Sequence, residues 1–144
     1  MVSPERVTEV AAVLQHLTRW ARRRVDVRAL ALVGSWAHGT PHQDSDVDVV
    51  LLTGAPEHYV HRDDWTPDLG GVRLVRTLEW GAVTERRFAV RSGLEIDLGV
   101  GTPAWASVDP VDSGTRRVVS DGMRVLHDPD GLLTLLAARL QGRP

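Results

Sequence analysis

Two aspartates separated by one valine, in 46-DVDVVLLT-53, stand where an apolar strand begins. In an extended chain, residues two apart face the same way with Cα atoms about 6.5–7 Å apart. Asp46 and Asp48 therefore project together, while Val47 and Val49 point to the opposite face. Like charges that close repel and raise a pKa unless a cation meets them. Carboxylate oxygens are hard ligands suited to Mg²⁺, which keeps several waters and shares its shell with phosphate oxygens. A third carboxylate from another strand would allow two ions about 3.5–4 Å apart, the arrangement for in-line displacement at phosphorus. The run 94-LEIDLGV-100 supplies a third, because its alternation puts Glu95 and Asp97 on one face. Asp97, flanked by Ile96 and Leu98, is the first choice and Glu95 the reserve.

Upstream of the pair, 28-RALALVG-34 is an apolar run ended by glycine and followed by Ser35. Gly34 lets the backbone turn sharply and approach a ligand closely. Ser35 can then present its hydroxyl and backbone N–H, with those that follow, to a phosphate. One end of the loop is an anion cradle and the other a cation pair, and a nucleoside triphosphate carrying Mg²⁺ needs both.

These side chains must be positioned by a sheet. The spacing predicts a helix over 4–24, with Ser3 as cap, Pro4 in its first turn and a core stripe of Val7, Val10, Val13, Leu14, Leu17 and Trp20 or Ala21. Strands are expected at 28–34, 46–53, 72–80, 83–90 and 94–100, the last two as an antiparallel hairpin. The segment 35–45 reads as loop or a single helical turn, and 55–71 as a loop that closes over substrate. A short helix is expected over 111–120, an edge strand at 123–128 and a closing helix over 130–141. The fold class is α/β (α+β): one domain over 1–144, a mixed β-sheet with flanking helices.

Composition removes several chemistries. No cysteine is present, which excludes disulfides, thiolate nucleophiles and cysteine–zinc sites. All 17 basic residues are arginine, so Schiff bases, lysyl-adenylates and the GxxxxGK[ST] phosphate loop are excluded as well. The formal net charge of -2 gives no basic nucleic-acid footprint, so a DNA template is not expected. No apolar run approaches the roughly 20 residues of a membrane span, and no signal-peptide pattern occurs, so a cytoplasmic location is expected.

Gly34-Ser35, ten residues, then Asp46-Val47-Asp48 resembles the GS-x10-DxD signature of the nucleotidyltransferase superfamily with the DNA polymerase β-like palm. Ala37, Gly39 and Ser45 are similar to the small GSxARG…SDxD members. Those include minimal nucleotidyltransferases, some of them antitoxins paired with HEPN toxins, and small antibiotic nucleotidyltransferases. The resemblance is strongest over 27–53 and extends to the strand of Asp97. It implies Mg²⁺-dependent transfer of a nucleotidyl group, usually AMP from ATP, to a hydroxyl of a small molecule or protein, with release of pyrophosphate. Two ions are implied, held by Asp46 and Asp48, with Asp97 as the third carboxylate near the attacking oxygen. Gly34, Ser35, His38 and Ser45 fall on the nucleotide side. His38 departs from the pattern, standing where related proteins often carry arginine; it either steadies the triphosphate less well or is structural. The same resemblance implies an alternative: an antitoxin or weakly catalytic module that binds a HEPN-type partner or forms a homodimer. The acceptor and the choice of nucleotide stay open.

Other candidates are weaker. His58 and His61 lack a third ligand at diagnostic spacing and read as surface histidines. Arg22–Arg24 reads as a solvated helix end, and Arg86-Arg87 and Arg116-Arg117 as surface. Trp36 is expected to pack under its loop rather than stack on a base. Trp65, Trp80 and Trp105 are core anchors or walls of an acceptor pocket.

Overall fold

A computed structural model describes residues 1–142; Arg143 and Pro144 lie outside the described residues. Helix α1 (Pro4–Arg22) starts where Ser3 accepts a hydrogen bond from the Arg6 N–H, and it buries Val10, Leu14, Leu17, Trp20 and Ala21. Val7 of the expected stripe is 49% exposed, and the buried face of the helix starts one turn later at Val10. Strands β1 (Val27–Val33) and β2 (Val47–Thr53) flank a one-turn helix α2 (Gly34–His38). After α3 (Pro56–Val60) come β3 (Arg73–Trp80), β4 (Val83–Ala89), β5 (Glu95–Gly101), α4 (Ser113–Asp121), β6 (Arg124–His127) and α5 (Leu132–Leu140).

The six strands form one mixed sheet in the order β3-β4-β5-β2-β1-β6. Only β2 and β5 run parallel; the other neighbours are antiparallel, including the expected β4–β5 hairpin. Alternation divides each central strand between two cores. Val47, Val49 and Leu51 of β2, with Ile96, Leu98 and Val100 of β5, face α1. Val50 and Leu52 face Trp105, Leu133 and Leu136 instead. Each such side chain buried in full contributes about 1.5–3 kcal/mol, so the register of the central strands is firmly specified.

The segment 55–71 is not an open loop. Tyr59 and Trp65 are buried and pack edge-on with each other beside Trp20, on the α1 face of the sheet. It does not cover substrate at the DxD pair, whose Asp48 shares the opposite face with Val50. Charged letters hid this, since two rings, Tyr59 and Trp65, packed on Trp20 and Phe88, rather than an apolar run make its core contact. Arg24 is likewise drawn in from the helix end: it donates to the Tyr59 hydroxyl at 2.8 Å and pairs with Asp68 at 3.5 Å. No helix among the described residues is long and apolar enough to cross a membrane.

Candidate active site

The parallel pairing of β2 and β5 sets Asp48 directly beside Asp97. Asp46 lies one residue before β2 and faces the same way. One carboxylate oxygen from each of Asp46, Asp48 and Asp97 lies within 4.8 Å of the other two, and all three residues are half-buried. Glu95 does not join this set; it is two residues back along β5 and turns to an arginine. Asp97 Oδ1 is buried with no hydrogen-bond partner. A buried orphan oxygen beside two further carboxylates is the donor set a hard divalent cation takes, so these residues fit such an ion.

Gly34 closes the cluster from the β1 side. Its φ of 72° is open to glycine and strained for other residues, and a β-carbon there would overlap Asp48 Oδ2 and come within 3.0 Å of Asp48 Cγ. The Ser35 carbonyl accepts from the N–H groups of Gly39 (3.0 Å) and Thr40 (3.1 Å), which folds the loop back. Ser45 serves the same loop: its hydroxyl accepts from the His42 N–H at 2.7 Å, and its carbonyl accepts from the Trp36 indole at 3.3 Å. Trp36 therefore packs under the loop. His38 donates from Nδ1 to the Asp121 carbonyl, which fixes its hydrogen on Nδ1 and ties α2 to the end of α4. Gly34 thus touches the carboxylates, while Ser45 and His38 are engaged in loop contacts.

The residue that sequence reasoning missed is Arg87. Its Nη1 lies 2.8 Å from both Asp46 Oδ2 and Glu95 Oε1, and its Nη2 lies 2.6 Å from Asp97 Oδ2 and 3.7 Å from Glu85 Oε1. The expected surface role is wrong for both arginines of the pair. Arg87 faces the carboxylates as the cross-strand neighbour of Asp97, and Arg86 is buried on the α1 face, bound to the Val60 carbonyl and Asp63. The alternation of 83-VTERRFAV-90 already groups Glu85 with Arg87, but only the β4–β5 register brings both to Asp97. Arg116 and Arg117 are exposed, as expected.

Burial pushes the Asp48 carboxyl up to about 6 and the Asp46 charge adds to the shift; the Arg87 charge opposes it. Burial pushes Asp97 up to about 7, against the pull of Arg87 and with help from Glu85 and Asp48. Burial alone would lower the Arg87 pKa, but its hydrogen bond to Glu95 and the charges of Asp97 and Asp46 raise it, so it stays cationic. The site is overcharged with carboxylate and asks for more cation than one guanidinium supplies.

From the carboxylates a cleft of about 490 Å³ runs over Gly99 toward Val83, Trp80 and Trp105. Trp80 is 64% exposed and lines this cleft; Trp65 is in the core across the sheet. His58 meets Arg24 at 3.1 Å and His61 is exposed; among the described residues the three aspartates are the one cluster with metal-ligand spacing.

Known proteins of like fold have this architecture. The chain is similar to the Cid1 poly(U) polymerase, with a TM-score of 0.53 and 18% identity over 69% of this chain and 31% of that one. The same enzyme with the UTP analogue UMPNPP gives 0.53 and 17% over the same shares. The chain thus spans about a third of the length of these structures. A toxin–antitoxin structure with AMP-PNP matches more of both chains, 90% and 84%, at 14% identity and a TM-score of 0.45. Among curated protein sequences there is no significant match. A family model for the nucleotidyltransferase domain matches residues 14–100, which carry Gly34, Ser35, Asp46, Asp48, Arg87 and Asp97. The chain belongs to the nucleotidyltransferase domain family, on the polymerase β-like fold.

Proposed function

We propose that the protein transfers a nucleotidyl group, AMP from ATP, to a hydroxyl of a small-molecule or protein acceptor, and that it does so with Mg²⁺ at Asp46, Asp48 and Asp97. The observation that carries this reading is the gathering of three carboxylate oxygens within 4.8 Å, with one oxygen of Asp97 buried and unpartnered. Bound there, such ions supply charge neutralisation of the triphosphate and activation of the acceptor oxygen. The chain's own residues do the rest. Gly34 and Ser35 bring backbone N–H groups of the α2 turn to the phosphates, and Gly34 leaves room for the Asp48 carboxylate. Asp97 takes the proton of the acceptor hydroxyl as its oxygen bonds to the α-phosphorus and the bond to pyrophosphate breaks. The cleft walled by Trp80, Val83 and Trp105 holds the acceptor beside the carboxylates.

Replacing Asp46 and Asp48 together by asparagine tests this reading. Conversion of ATP to pyrophosphate in the presence of acceptor should vanish while the circular dichroism spectrum is kept. Full activity in the double variant would sink the assignment. The acceptor itself is sought by offering labelled nucleotides with aminoglycosides, lincosamides, tRNA and candidate partner proteins.

A second reading, a module that binds a partner protein of HEPN type or a second copy of itself, draws on one feature. Strand β3 is a sheet edge exposed along its length, with Leu74, Val75 and Leu78 each 39% exposed beside Trp80. Unpaired edges with apolar side chains are pairing surfaces. Calorimetric titration with Mg-ATP separates the two, since no heat of binding would leave only the partner reading.

A further inference from the structure

Arg87 has two kinds of partner, and they are divided evenly between its two terminal nitrogens. Nη1 touches Asp46 and Glu95, both at 2.8 Å, and Nη2 touches Asp97 at 2.6 Å with Glu85 at 3.7 Å. Asp46 and Asp97 belong to the carboxylate trio; Glu95 and Glu85 do not. Asp48, the remaining member, makes no ion pair with Arg87, nor does any other basic side chain pair with the trio among the described residues. Each nitrogen therefore keeps a carboxylate if it releases its member of the trio. The Arg87 side chain is only 16% exposed, so release needs no escape into solvent. Five carboxylates crowd this small region, and without a cation their mutual repulsion would spread them apart. A guanidinium fork holds oxygens in fixed directions, so Asp46 Oδ2 and Asp97 Oδ2 are committed to Arg87 while it grips them and are not free for an ion.

We propose that Arg87 is a positioning residue that holds Asp46 and Asp97 together in the absence of an ion and competes with divalent cations for them. On metal binding it yields these two and stays anchored on Glu95 and Glu85. The inference rests on the metal reading given above. It makes two changes on opposite sides of Arg87 act in opposite directions. Removing Arg87 removes the competitor and tightens metal binding; removing Glu95 and Glu85 strands Arg87 on the trio and weakens it. A bare charge at this place would give the same pair of signs, so the decisive variant is Arg87→Lys, which keeps the charge and loses the fork: tighter binding there is not a charge effect.

The experiment is calorimetric titration of the protein with Mn²⁺ alone, without nucleotide. Arg87→Gln should bind about tenfold more tightly than wild type, a gain as large as the smaller losses that changes beside metal ligands produce. Its metal-free melting temperature should fall. Arg87→Lys, which keeps the charge but loses the fork, should tighten binding by a smaller factor and serves if the glutamine variant does not fold. The pair Glu85→Gln with Glu95→Gln should weaken binding by a similar factor of about ten. Equal or weaker Mn²⁺ binding in the Arg87 variants overturns the proposal. If neither wild type nor any Arg87 variant binds Mn²⁺, the metal reading itself fails and this one with it.

Discussion

Gly34 and Asp48 share one space: the site a β-carbon would take on residue 34 is filled by the Asp48 carboxylate. The glycine is thus part of the carboxylate site as well as of the turn, and its φ of 72° adds a second reason for it. Gly34→Ala should destabilise the protein by about 1–3 kcal/mol from backbone strain and displace Asp48. Thermal melts check the first effect and Mn²⁺ titration the second. An alanine variant with unaltered metal affinity would show that Asp48 does not need the space.

Asp97 and Glu95 are neighbours on one strand face with different expected weights. Asp97→Asn should abolish measurable pyrophosphate release, since it replaces a charged carboxylate next to Asp48 by a neutral amide with a single oxygen. Glu95→Gln acts only through Arg87 and should cost about 10–100-fold or less. Steady-state rates of both variants at saturating ATP rank the two carboxylates; equal losses would mean that Glu95 binds the ion directly.

The raised carboxyl pKa values give a pH dependence of definite sign. With folded values near 6 for Asp48 and 7 for Asp97 against an ordinary 3.8, the folded protein holds protons that the unfolded chain has lost. Their contribution is fully present below pH 3.8 and is lost as pH rises through about 6 and 7. In chelator, the melting temperature should therefore be pulled down by these groups between about pH 4 and pH 7. Added Mn²⁺ should restore it most at the upper end, because metal binding requires the deprotonated forms. Differential scanning fluorimetry across that range, with and without Mn²⁺, reads both effects. A metal-induced stabilisation that does not grow with pH would contradict the electrostatic account.

Arg86, next to Arg87 in sequence, sits across the sheet and fastens Val60 and Asp63 to it. Arg86→Ala should lower stability by about 1–3 kcal/mol, through the lost hydrogen bonds and the unpaired Val60 carbonyl. Mn²⁺ affinity should hardly change, which sets it apart from Arg87 variants. Denaturant unfolding with a parallel titration makes the comparison.

His38 spends Nδ1 on the Asp121 carbonyl. His38→Ala should loosen the α2–α4 contact and cost about 0.5–1.5 kcal/mol, with a loss of activity no larger than a few-fold. A far larger fall in pyrophosphate release at unaltered melting temperature would give His38 a direct part in nucleotide binding.

Much of the site is legible in the chain as written. The step of two in DVD and in EID follows from strand geometry alone, so Asp46 with Asp48, and Glu95 with Asp97, are assigned to common faces before any fold is known. The glycine ending an apolar run likewise marks a turn. Which of Glu95 and Asp97 meets Asp48 is not local information: it depends on the parallel register of β2 against β5, and a slip of two residues would exchange them. Arg87 reaches the trio for the same kind of reason, through the β4–β5 register, although two adjacent arginines in a strand look alike on paper. The side of the sheet taken by residues 55–71 was decided by packing, since Tyr59 and Trp65 find Trp20 and Phe88 only once α1 and β4 are in place. Sequence determined the chemistry available on each strand face; the hydrogen-bonded register and the aromatic packing decided which charges meet.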